Sequence, residues 1–323
     1  LFRISDRLVL IPGIRYEYVN AAASGYGSVS NGTPLYLQNQ ERGRDFLLAG
    51  MGAELSVSKT TQLYANITQS YRPVQFADLT APPTTDVVDP NLEDASGYNF
   101  DVGYRGQLKN FLKFDMSAFH LQYNNRIGTI KQLRPDLSSY NFRTNVGGSR
   151  ANGLEAFAEY NLSKSLSADI RHGEVSIFSS YSYNLAQYNS FKVITLSGNS
   201  LQETNYKDNK VEYAPENILR FGLTYSIKNA FATVQYSYTD KVYTDANNTE
   251  LPTANGQNGA IPSYRIIDLT LGWKHKTGLS LKTGVNNLTD AIYFTRRSGG
   301  YPGPGVLPAD GRTFFLTLGY QMN

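Results

Sequence analysis

Alternation with period two, sustained along nearly the whole chain, constrains this sequence more than any other feature. Leu10, Pro12, Ile14, Tyr16 and Tyr18 fall on one face, and Gly13, Arg15 and Glu17 on the other. Leu47, Ala49, Met51, Ala53 and Leu55 repeat the pattern against Gly50, Gly52 and Glu54. Phe100, Val102 and Tyr104 oppose Asp101, Gly103 and Arg105, and Ile267, Leu269, Leu271 and Trp273 oppose Asp268, Thr270, Gly272 and Lys274. The last segment sets Phe314, Leu316, Leu318 and Tyr320 against Thr313, Phe315, Thr317 and Gly319. Successive strand side chains point to opposite faces, so each segment reads as a two-faced strand. About twelve such segments of roughly ten residues are present, the length a tilted strand needs to cross a bilayer. No stretch beyond about two turns carries a helical period.

Alternation alone does not separate a soluble sandwich, whose polar face meets water, from a membrane barrel, whose polar face lines a lumen. The connections do. Short ones fall near Ser58–Gln62, Leu108–Asn110, Ser163–Ser167, Lys228–Asn229 and Lys276–Gly278. Long ones, rich in Gly, Pro, Asn, Asp and Thr, run roughly over Asn20–Arg44, Arg72–Gly97, Asn124–Asn152, Tyr188–Pro215, Tyr243–Pro262 and Ser298–Gly311. Every second connection is long, as in outer-membrane barrels, and soluble domains rarely carry six loops of this length. The expected fold is therefore all-β: a transmembrane antiparallel β-barrel with short periplasmic turns and long extracellular loops.

Composition agrees. Tyr (24) outnumbers Phe and Trp together (16 and 1), and Tyr favours strands and water–lipid boundaries. It clusters at segment ends, as at Tyr16 and Tyr18, Tyr181 and Tyr183, and Tyr236 and Tyr238. No run of about 18 apolar residues occurs, so no transmembrane helix is expected. The absence of Cys removes disulfides, thiolate metal sites and cysteine nucleophiles without fixing the compartment. A formal charge of +3 is too balanced to suggest nucleic acid.

Several stretches carry a resemblance. Leu63-Tyr64-Ala65-Asn66-Ile67-Thr68-Gln69-Ser70-Tyr71-Arg72-Pro73 resembles the strand with a terminal aromatic-Arg-Pro of TonB-dependent outer-membrane receptors. Asp89-Pro90-Asn91-Leu92-Glu93, then Tyr98 to Arg105, Gly153-Leu154-Glu155, Val285 to Tyr293, and Gly311-Arg312-Thr313-Phe314 resemble further landmarks in family order. The chain departs at Leu92-Glu93-Asp94-Ala95, where the family carries a Pro before Glu. The resemblance implies that 1–323 is the C-terminal part of the barrel, with the N-terminal plug and first strands absent from it. Such barrels have about 22 strands and a plugged lumen. Asp245 to Gly259 and Tyr293 to Gly305 resemble the ferric-citrate, or iron(III) dicitrate, receptor group. The implied function is capture of that ferric chelate at the cell surface and import powered by the TonB complex acting on the absent plug. The implied place is the bacterial outer membrane.

Catalysis has little support in the residues. The three histidines, His120, His172 and His275, lie apart from any Ser/Asp pattern, and no G-x-S-x-G occurs. Asp86, Asp89, Glu93 and Asp94 crowd one loop without calcium-loop spacing and read as a solvated acidic loop. No metal or organic cofactor is expected. Binding is better supported: a compact polyanion calls for guanidinium groups, which offer paired planar donors to carboxylates. The candidates are Arg126 on the third long loop, Arg296, Arg297 and Tyr301 entering the last, and Arg72 at a strand's outer end. The other reading of these arginines is a merely solvated rim, or one bound to lipopolysaccharide phosphates. Asn286, Asn287 and Asp290 read as a turn device, since Asn and Asp make local turn bonds and tolerate left-handed backbone. Inward Arg15, Glu17, Glu54, Asp101, Arg105 and Glu155 read as a charge network on the lumen wall. A passive porin-like channel and an outer-membrane barrel enzyme are the two alternatives from other classes.

Overall fold

A computed structural model describes residues 1–36, 40–79, 86–135, 138–167, 169–198, 200–298 and 304–321. Twelve long strands follow one another: β1 (Leu8–Ala23), β2 (Gln40–Ser56), β3 (Thr61–Arg72), β4 (Ala95–Leu108), β5 (Leu112–Leu133) and β6 (Ser139–Asn161), then β7 (Glu174–Ser197), β8 (Asn217–Ile227), β9 (Ala230–Thr239), β10 (Tyr264–Lys274), β11 (Leu279–Asn286) and β12 (Thr313–Tyr320). Each pairs antiparallel with its neighbours in sequence, giving one uninterrupted meander. A two-residue strand, Phe2–Arg3, flanks β1. Among the described residues, helix is confined to the four-residue turns Phe76–Leu79 and Leu162–Ser165 and a 3-10 turn at Ile170–His172.

The connections alternate in length, and several differ from the sequence reading. The third long connection is mostly strand: β5 and β6 stay paired as far as Leu133 and Ser139. These strands have 22 and 23 residues, and β7 has 24, about twice what a bilayer requires. Their hydrogen-bonded ladder supplies partners for backbone that a loop would leave to water. The connection near Ser163–Ser167 is longer than expected and reaches Glu174 through the two helical turns.

The two faces of the wall differ as the alternation requires. One face presents Ile14, Leu47 and Phe314, between 60% and 77% exposed, and Met51, Ile67, Phe100, Leu154, Leu223 and Leu271. Register joins them across strands: Met51 faces Ile67, Ile67 faces Phe100, and Leu281 faces Leu318. A continuous apolar face of this extent is stable only against lipid or another apolar surface. All nine buried apolar residues, among those described, lie at the long-connection end. Hence the wall has no interior core, and tertiary packing is concentrated in the loops.

On the opposite face, inward glycines make room for rings. Tyr64 faces Gly103, Phe119 faces Gly153, Phe178 faces Gly222, Phe231 faces Gly272 and Phe315 faces Gly284. Each ring covers the strand that lacks a side chain, an aromatic rescue of glycine. A Cβ at Gly153 would stand 2.2 Å from the Tyr183 carbonyl oxygen and 2.3 Å from Phe119. Gly153→Ala is therefore expected to destabilise the folded wall by about 1–3 kcal/mol through overpacking against backbone. A lower midpoint for heat-induced loss of β-sheet circular dichroism checks it. The charge network forms in part: Arg105 pairs with Glu54 at 3.0 Å, Arg15 with Glu17, and Asn66 donates to Asp101 at 2.9 Å. Glu155 instead borders a shallow polar recess with Asp115, Ser117, Ser180 and Ser182.

Candidate functional site

The long-connection end is built as two interlocked loop assemblies. The first is the connection between β3 and β4. Val74, Leu79, Val88 and Leu92 make a small core, packed against Ala21 of β1 and Ile127 of β5. Apolar side chains inside a hydrophilic loop let it fold as a unit. Asp86–Val88 adds a short parallel strand to β6. At the junction where the family's Pro is missing, Asp94 supplies the constraint. It accepts from the Val74 amide at 2.7 Å, pairs with Arg44 at 2.6 Å and accepts from the Tyr71 hydroxyl. Three of the loop acids, Asp89, Glu93 and Asp94, are thus bonded, although Glu93 stays exposed. Asp89 accepts from Thr144 at 2.5 Å, and Glu93 accepts from Asn125 at 2.8 Å.

Arg72 belongs to this assembly. It pairs with Asp78 at 3.1 Å, and Arg143 of β6 pairs with the same carboxylate. Asp78 is buried to 1% exposure and also accepts from the Gln75 amide at 3.0 Å. Burial by itself raises the Asp78 pKa, but the Gln75 amide, Arg143 and Arg72 outweigh it and hold the carboxyl below its ordinary value. Two guanidiniums against one carboxylate leave a surplus positive charge, and both arginines remain about one-third exposed. The sequence reading missed Arg143 because it sits within an apparent loop that is in fact strand.

The second assembly joins the last three long connections. Asn248 donates to the Lys210 carbonyl and accepts from the Lys210 amide, at 2.8 and 2.7 Å. Asn209 donates to the Ala246 carbonyl at 2.8 Å. Arg297 fastens the last connection to the one before it. Its guanidinium donates to the carbonyls of Gly259, Gly256 and Ala260 at 2.9, 3.0 and 3.2 Å and lies over the Phe294 ring. Arg297 is 8% exposed, so its role is to position the loops. Its neighbour Arg296 is exposed and, among the described residues, its side chain makes no hydrogen bond or ion pair. Strand alternation separates them: Phe294–Ser298 pairs with Gly305–Pro308, and adjacent residues face opposite ways. Tyr301 lies outside the described residues.

Arg126, in strand β5, stands where the assemblies meet. It lies 3.5 Å from Glu212 and over the rings of Tyr188 and Phe191. Tyr188 is fully buried and donates to Glu212. The preceding residue, Asn125, reaches Glu93 of the first assembly. Tyr213, held at φ 56, donates to the Arg297 carbonyl at 3.4 Å, so the dipeptide Glu212-Tyr213 touches the surroundings of both Arg126 and Arg297. No two of Arg72, Arg126, Arg296 and Arg297 share a hydrogen-bond or ion-pair partner among the described residues.

The Asn-Asn-Leu-Thr-Asp segment is a turn device. Asn287, 3% exposed with φ 52, bonds the backbone of Ala291 in both directions, and its amide donates to Asp268 at 2.8 Å. Asp290 accepts from the Arg312 amide at 2.9 Å. This knot directs the chain from β11 into the last connection and back to β12. A stack of Tyr264 on Tyr293, centroids 4.7 Å apart, braces it.

A two-faced antiparallel wall, with short turns at one end and interlocked, arginine-bearing loops at the other, matches the wall of an outer-membrane-type β-barrel. The sequence matches the family model described as TonB dependent receptor-like, beta-barrel, over residues 1–288. The chain belongs to that family, whose members are bacterial outer-membrane receptors and transporters and not enzymes. It is 22% identical over 326 residues to a probable TonB-dependent siderophore receptor, PiuA, of Acinetobacter baumannii, covering 98% of this chain and 39% of that one. Among solved structures, the unliganded ferric citrate transporter FecA aligns with a TM-score of 0.73 at 21% identity, covering 97% of this chain and 42% of the other. The copper transporter OprC aligns at 0.70 and 18% identity, covering 98% and 46%. The chain spans about two-fifths of the length of these relatives.

Proposed function

We propose that this chain forms the C-terminal wall and much of the outer mouth of a receptor that captures a ferric chelate and imports it with energy from the TonB complex. The plug on which that complex pulls would lie before this segment. Within that class, iron(III) dicitrate is the ligand we favour. The observation that carries the choice is Arg296, an exposed guanidinium uncommitted to any described group and set beside the buried Arg297 that holds its loop. Ferric citrate is a compact polyanion, and an uncommitted guanidinium at the mouth offers paired donors to its carboxylates. The surplus charge of Arg72 and Arg143 over Asp78 supports the same ligand chemistry. Arg126 and Tyr301 complete the proposed contacts, and Arg297 acts by positioning. Lipopolysaccharide phosphates around the rim are a second set of anions that these loop arginines suit.

The experiment is titration of the intact receptor with ferric citrate and with a neutral ferric siderophore, measured by isothermal titration calorimetry. Arg296→Ala is expected to weaken ferric citrate about tenfold, the loss of one charge-assisted pair, and to leave the neutral chelate unchanged. Equal affinity of the unaltered receptor for both chelates would remove ferric citrate from the reading while leaving the receptor class in place.

A further inference from the structure

The short-turn end carries a charge pattern that ligand capture at the opposite end does not use. Each of its six connections holds a cation: Arg7, Lys59, Lys109, Lys164, Lys228 and Lys276. Acids within those turns are two, Asp6 and Asp169, and Asp169 is held by Arg171 at 2.6 Å. Lys164 pairs with Glu174 at 3.6 Å, whereas the other five cations pair with no carboxylate among the described residues. The whole chain is only +3, so the positive charge is gathered at this rim.

Geometry places these cations at a definite depth. Tyr160, Tyr225, Trp273 and Tyr320 share the outward face with Leu154, Leu223, Leu271 and Leu318, near the strand ends. Aromatic residues at that position mark a membrane–water boundary, and lysines just beyond them extend to the level of lipid headgroups. Lys228, Lys274 and Lys276 also line, with the inward ring of Phe231, His275 and Gln321, a cleft of about 540 Å³ at the lumen edge of the same rim, and no carboxylate lines it. Lys228 and Lys276 therefore stand in their turns without an acid to neutralise them. Turn chemistry does not account for them either. Lys109 and Lys228 both sit at φ 50, a left-handed conformation that favours Gly or Asn.

We propose that this rim binds the phosphates of anionic glycerophospholipids in the adjoining leaflet, through the turn lysines Lys59, Lys109, Lys228 and Lys276. The rim ties the short-turn end to that leaflet independently of which chelate the mouth accepts.

The test uses the intact protein in nanodiscs of phosphatidylethanolamine with a minority of phosphatidylglycerol, with retained lipids counted by native mass spectrometry. Phosphatidylglycerol is expected to be enriched around the unaltered protein, and high salt is expected to abolish the enrichment. A variant carrying Lys59→Gln, Lys109→Asn, Lys228→Asn and Lys276→Gln is expected to lose it about tenfold or more. That variant's thermal midpoint is expected to hold or rise, because Asn tolerates the left-handed turn positions; a lysine with only a structural role would lower it. Lys192→Gln with Lys207→Gln, at the opposite end, is expected to change nothing. No enrichment in the unaltered protein, equal loss in the opposite-end variant, or displacement of the lipid by inorganic phosphate alone would overturn the proposal, the last by indicating a small-anion site. Salt-dependent enrichment in the unaltered protein stands as a test even where the fourfold variant fails to fold.

Discussion

Arg297→Ala is expected to release the last two long connections from each other while leaving the barrel wall intact. The guanidinium is buried and donates to three carbonyls, at Gly256, Gly259 and Ala260. Removing it leaves those acceptors without their charged donor, at a local cost of about 3–5 kcal/mol. Hydrogen exchange of the amides of Gly256, Ala260 and Ile261 reads this directly, and protection there should fall by two orders of magnitude or more. Arg297→Lys should rescue little, because an ammonium cannot span three carbonyls set along a bend. Chelate affinity should fall together with protection, since Arg296 rides on the released strand. Unchanged exchange over 256–261 would mean that the loops are held by other contacts and that Arg297 is free to act at the ligand.

Asp78→Asn is expected to loosen the connection between β3 and β4. Asp78 is the shared partner of Arg72 and Arg143 and the acceptor for Gln75, so its loss sets two like charges side by side without a counter-ion. Solvent screens the two arginines, each about one-third exposed, which limits the cost to about 2 kcal/mol. Val74, Leu79, Val88 and Leu92 should then become accessible to protease and to exchange. Acid should do the same to the unaltered protein. The folded carboxyl titrates below its unfolded value, so its contribution is complete above that value and disappears as pH falls through the folded one. Loosening is therefore expected only below about pH 4. In Asp78→Asn the segment should already be loose at neutral pH and respond no further to acid at this site. A loop as protected at pH 3 as at pH 6 would remove Asp78 from this role.

The two arginine sites share a lesson about reading charge from sequence. Arg296 and Arg297 are adjacent and chemically identical, and both suit a polyanion equally well on paper. A single strand step turns one to the carbonyls of a neighbouring loop and leaves the other exposed. Likewise Asp89, Glu93 and Asp94 read as a solvated cluster, yet each is a bonded hinge between loop and wall. Partners lying 50 or more residues away, as with Arg44 and Asp94 or Asp89 and Thr144, have no local signature.

What the sequence determined by itself is everything that follows from a period of two. The strand segments, their apolar and polar faces, the order of long and short connections and the turn role of Asn287 are local properties, set by alternation and by side chains bonding their own backbone. Even the inward glycines at 103, 153, 222, 272 and 284 are visible as small residues on the polar face, although the rings that cover them are not. The tertiary structure decided how far β5, β6 and β7 continue beyond the span, where the buried core lies, and which cations are engaged. Those outcomes depend on cross-strand register and on contacts between loops distant in sequence, because a buried guanidinium or carboxylate is stable only where the fold delivers its partner.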